Sequence, residues 1–166
     1  RVTSLMYNEL KLDTSNIRGK RTPAVGLSLD EGKALLNGFN FNDNAALGTV
    51  LYKSFMVDTS SGTISIMGLT PATDIASPNG ASHVSLTSAW AIVDFETGVS
   101  DIKLSPVSNL VIDSNVNDVT LAPTETPSGN GINLYLLKVE FFQEVNGIQY
   151  PLKNGAYNAL AIVAVA

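Results

Sequence analysis

The sequence has no cysteine, one histidine, one tryptophan and few charges, and each shortage removes a class of function. Without cysteine there is no disulfide framework, no thiolate zinc site and no cysteine nucleophile. A single His83 rules out a two-histidine metal site and leaves little room for imidazole acid–base chemistry. Charged residues make up only 15% of the chain, and fifteen Asp and Glu against ten Lys and Arg give a net charge of −5. No basic run stands out from that balance, so the footprint of a nucleic-acid binder is missing and no nucleic acid is expected as a partner. The longest apolar run, Ala159–Ala166, is far shorter than the ~20 residues a membrane-spanning helix needs, so no membrane span is expected.

What is present is apolar and polar-neutral: 45% hydrophobic residues with abundant Thr, Ser, Asn and Gly. A chain of 166 residues and 17.5 kDa is one ordinary domain or two very small ones. Its surface should fall from about 25,000 Å² unfolded to about 7,900 Å² folded, enough burial for an autonomous core. A cysteine-free, charge-poor composition suits an extracellular or cell-surface protein, where a free thiol is a liability. The chain opens at Arg1 without Met or a signal-like stretch, which leads us to expect a mature processed chain or a fragment.

Val2, Leu5, Met6, Glu9 and Leu10 fall at spacings of three and four, which predicts a short amphipathic helix. A basic cluster, Arg18, Lys20 and Arg21, follows it. Leu29–Leu36 reads as a second helix, with Ser28 and Glu31 as a capping box and Gly38 as its C-terminal stop. From Phe39 the pattern turns to β. Strands are predicted over 49–57 and 63–67 around a Gly62 turn, over 81–95, 100–105, 109–113 and 116–121, and after the loop 123–131. Within 81–95, Val84, Leu86, Ser88, Trp90 and Ile92 share one face. Asn146-Gly147 supplies the pair that a type I′ turn demands, so Ile132–Val145 and Ile148–Leu152 form a hairpin before a last strand in 157–166. The fold expected is all-β: an Ig-like or jelly-roll-type antiparallel β-sandwich over residues 39–166, with a short N-terminal helical segment over 1–38.

Ala159–Ala166 is apolar on both faces, so both should be covered. The cover is either a helix of the same chain, such as 29–36, or another subunit. On the second reading Ala159, Leu160, Ala161, Ile162, Val163, Ala164 and Val165 carry subunit contacts, joined by Val2, Leu5 and Met6 of the first helix. Constellations that could carry chemistry are thin. His83 lies near Ser82 and Ser85, but Asp94 is about 35 Å further along a straight strand. Asp113–Asp118 alternates oxygen ligands as calcium loops do, yet Asp118 stands where such a loop needs Gly and Thr124 where it needs Glu. An ordinary Asx-rich turn is the plainer reading, as it is for Asn40, Asn42, Asp43 and Asn44. Trp90 shares the face of Val84 and Leu86, which suits a core residue better than a sugar-stacking platform.

The runs Gly38–Asn42 (GFNFN), Pro78–His83 (PNGASH) and especially Glu140–Ala156 (EFFQEVNGIQYPLKNGA) resemble a family of uncharacterised proteins common in Bacteroidetes. The resemblance implies a Bacteroidetes origin and a further N-terminal segment upstream; it brings no catalytic residues and no cofactor. The expectation is therefore a non-enzymatic structural subunit of a secreted or cell-surface assembly, a homo-oligomer or a filament, joined through β-strand or sheet-edge contacts. A carbohydrate- or ligand-binding module and a phage-like structural protein are the alternatives.

Overall fold

Turn chemistry and apolar spacing set the boundaries of most elements. The computed structural model describes residues 1–166, beginning with three helices: α1 (Val2–Leu12), α2 (Pro23–Leu27) and α3 (Asp30–Leu36). The short α2 is absent from the sequence reading. Thr22 is extended and Pro23 occupies the first turn, where its fixed φ fits and its missing N–H costs nothing. The Ser28 hydroxyl donates to the Val25 carbonyl at 2.7 Å, closing α2, so Leu29 rather than Ser28 becomes the N-cap of α3 and the expected capping box does not form. Gly38 follows α3 with φ +80°, as a C-terminal stop requires.

The strands follow with two further single-turn helices among them. The order is α4 (Leu47–Val50), β1 (Met56–Asp58), β2 (Thr63–Leu69), α5 (Pro71–Asp74), β3 (His83–Val93), β4 (Ser100–Leu104) and β5 (Ser108–Val111). Then come β6 (Asn117–Leu121), β7 (Ile132–Val145), β8 (Ile148–Pro151) and β9 (Ala159–Val165). The strand expected over 49–57 survives only at its end. Leu47, Val50 and Leu51 are spaced for one helical turn, and all three are buried in that form. The β7–β8 hairpin turns at Asn146 and Gly147, both with positive φ.

The architecture is all-β and antiparallel. In the larger sheet β3 pairs with β7 from His83↔Phe142 to Val93↔Ile132. β4 and β5 pair with successive parts of β3, and β9 and β8 with successive parts of β7. A smaller sheet has the order β1-β2-β6. The main core lies between them, with Val84, Leu86, Leu137, Val139 and Phe141 from the larger sheet against Ile64, Ile66, Leu69, Val119 and Leu121 from the smaller. Trp90 is buried on this side and its indole N–H donates to Asn133 Oδ1 at 2.9 Å. Tyr135, tilted against Trp90, donates its hydroxyl to the Thr59 carbonyl at 2.6 Å, tying the β1–β2 turn to β7. On the opposite face, Leu27 and Leu36 of the helical layer pack on Ala91, Leu134 and Ile162, with Leu5, Met6 and Phe39 around them.

Candidate functional site

The larger sheet holds the strand that sequence reasoning nominated, and its outer face holds residues that reasoning missed. β9 runs beside β7 with Leu137 opposite Ala161 and Val139 opposite Ala159, and an irregularity between Tyr135 and Leu136 shifts its register. Ala159, Ala161 and Val163 face the main core, while Ile162 faces α2 and α3. The strand's other edge is occupied by residues 38–41. Gly38 N donates to Ile162 O at 2.8 Å, Ile162 N to Phe39 O at 2.9 Å, and Phe41 N to Leu160 O at 2.8 Å.

Asparagines hold this strap. Asn42 Nδ2 donates to the carbonyls of Ala156 and Asn158, and Asn40 Oδ1 accepts from Leu47 N. Arg1 pairs with Asp43 and lies over the Phe39 ring. Ala159, Ala161 and Ile162 are thus buried by their own chain, whereas Leu160, Val163, Ala164 and Val165 are half-buried. Leu5 and Met6 are half-buried against the second core, and Val2 is exposed.

Beyond the helices the same face is open. Ala89 stands between Leu104 and Leu136 in register, and Lys138 lies opposite Leu160. With Ile102 and Val107 these residues line a groove of about 330 Å³, bordered by Thr87 and by the Lys138–Glu140 ion pair at 2.8 Å. β4 is turned against ordinary amphipathic logic. Its apolar Ile102 and Leu104 point outward and are 55% and 54% exposed. Its charged Asp101 and Lys103 lie on the half-buried side, where Lys103 pairs with Asp101 at 3.4 Å and Glu125 at 3.3 Å, and Asp101 accepts from Ser128 N. The Ser128 N–H is the main reason the Asp101 carboxyl is held below its usual range. Sequence reasoning placed a strand here without assigning its faces. The loop 122–130 supplies Glu125 and Ser128 to the charged side.

The chemistry-bearing candidates are engaged by local partners. Ser82 Oγ lies 3.0 Å from His83 Nδ1, and His83 Nε2 lies 3.5 Å from Glu144 Oε2, so Glu144 rather than Asp94 is brought to the histidine. The Ser82 oxygen accepts the Glu144 N–H at 2.7 Å, stitching the start of β3 to β7, and none of the principal clefts is lined by the three residues. Asp94 instead closes its own turn, its pKa lowered chiefly by the Thr97 hydroxyl. In the 113–118 loop Asp113 accepts from Asn115 backbone and side chain, and Asp118 accepts from Gly68 N. Arg18 and Arg21 line a cleft on the helical layer with Tyr7 and Lys11.

No family model, curated protein or solved structure matches the chain. What the geometry defines is a class: an all-β, antiparallel two-sheet fold whose larger sheet is half covered by helices and half open and apolar. No helix is long and apolar enough to cross a membrane.

Proposed function

We propose that this protein is a non-enzymatic structural subunit of a secreted or cell-surface assembly, associating with further copies through the open face and β4 edge of its larger sheet. The observation that carries the reading is the inverted β4 strand, with Ile102 and Leu104 outward over an apolar groove. Contiguous exposed apolar surface of this kind marks a contact face. The cysteine-free, charge-poor composition supports a place outside the cell.

Light scattering and electron microscopy on one native sample test the reading, alongside the double substitution Ile102→Lys and Leu104→Lys. Regular oligomers or filaments are expected from the wild type, and folded monomers with an unchanged far-UV circular dichroism spectrum from the variant. A wild type that stays monomeric at all concentrations, or a variant that assembles normally, overturns it.

A further inference from the structure

We propose that residues 1–38 are a pH-dependent cap, closed over the outer face of the larger sheet while Glu9 is protonated and loosened when Glu9 ionises. Glu9 lies on the apolar stripe of α1 and is fully buried, and neither of its carboxylate oxygens has a hydrogen-bond partner. Two glycines bring the backbone against it. A Cβ on Gly26 would run into the Glu9 main chain, and one on Gly32 would lie 2.5 Å from Glu9 Oε2. The carboxyl is wedged where α1, α2 and α3 meet, with no room for a shell of water.

No neighbouring charge compensates it. α2 carries no ionisable residue, and on α3 Asp30 and Glu31 are exposed. Lys33 lines a cleft with Asp94 and Glu96. On the strap, Asp43 is taken by Arg1; on α1, Lys11 lies over the Tyr7 ring. Asp13, at the end of α1, spends its carboxylate on Ser15 N, Asn16 N, Asn16 Nδ2 and Thr22 N. The sheet below offers Ala91, Leu134 and Ile162. An ionised Glu9 would be a buried charge without a partner, a penalty relieved by protonation or by opening.

The sign follows. Burial raises the Glu9 pKa above its ordinary 4.5, so the closed cap binds a proton that the open one releases. That contribution to closure is fully present below pH 4.5, declines as pH rises toward the raised value and is gone above it. Asp13 works the other way. Hydrogen bonds, that of the Asn16 side chain first, hold its pKa below the ordinary 3.8, so its contribution is present above that value and lost at lower pH. The cap is tightest in a mildly acidic interval. Opening it would bare Ala91, Leu134 and Ile162 and join them, through Leu136, to the groove already open beside them.

Hydrogen exchange on the full chain at pH 4.5 and pH 8, corrected for intrinsic rates, tests this without reference to assembly. Amides of α1–α3 are expected to be more protected at pH 4.5, by about tenfold for each unit of pKa displacement, while β3 and β7 hold constant. Glu9→Gln and Glu9→Met should each abolish the difference, the second with added protection at pH 8. A wild-type cap that exchanges alike at both pH values overturns the proposal. So does a Glu9→Gln or Glu9→Met chain that keeps the full difference, or β3 and β7 amides that follow the cap.

Discussion

Gly62 answers to two constraints at once. It sits at φ +71° in the turn after Asp58, and a Cβ there would lie 2.5 Å from Trp90 Cε3 and 3.2 Å from Trp90 Cβ. Gly98 has nearly the same backbone, φ +75°, with nothing within 4 Å. The pair separates backbone strain from overpacking. Gly98→Ala is expected to cost about 1 kcal/mol for the left-handed conformation alone. Gly62→Ala should cost about 2–4 kcal/mol, because the indole has to give way as well. Urea unfolding of the two variants checks the difference; equal losses would mean that Trp90 yields freely. The sequence announces Gly62 as a turn residue and Trp90 as core. The collision between Gly62 and Trp90 depends on two sheets closing face to face, which local pattern does not encode.

At the scale of elements, legibility tracks how local the cause is. The β7–β8 hairpin is written in Asn146-Gly147, and β3 in its alternation, so both stand where the sequence puts them. α2 is only one turn long and is held by its neighbours, above all by the close crossing of Gly26 over the Glu9 main chain, so no periodicity betrays it. The stripe on α1 did carry a clue, since Glu9 falls among Val2, Leu5 and Met6. Ser28 shows the converse, a valid capping signal spent on the preceding helix. Because α1 and α2 touch through backbone at Gly26, Gly26→Ala is expected to strip exchange protection from α1–α3 while leaving β3 and β7 intact. Gly48→Ala, with open space around the new methyl, should leave both unchanged. Retained cap protection in Gly26→Ala would show that the helices slide apart without cost.

For the whole molecule, the last strand and the open face make an instructive contrast. An eight-residue run apolar on both sides signals a cover, and β9 has one: the main core below, α2 and α3 above, and the 38–41 strap along its edge. The groove is less legible, because Ile102 and Leu104 alternating with Asp101 and Lys103 is the pattern of any half-buried strand. Glu125 and Ser128, two residues of a distant loop, bind the charged side, and no local pattern announces those contacts.

The pairing of β3 with β7 also has a kinetic side. The two longest strands form the centre of the larger sheet, yet residues 94–131 separate them in the chain, and that intervening stretch includes β6 of the other sheet. Closing so long a loop costs entropy before any pairing is rewarded. The central pairing is therefore non-local and tied to the meeting of the sheets, so refolding should be slow for a chain of this size, about milliseconds to seconds. Trp90 fluorescence and far-UV circular dichroism are expected to recover in one shared phase, since the indole reaches its site only when both sheets are in place. A fast recovery of the β signal ahead of Trp90 would mean instead that one sheet can assemble alone, leaving its apolar face bare on the way.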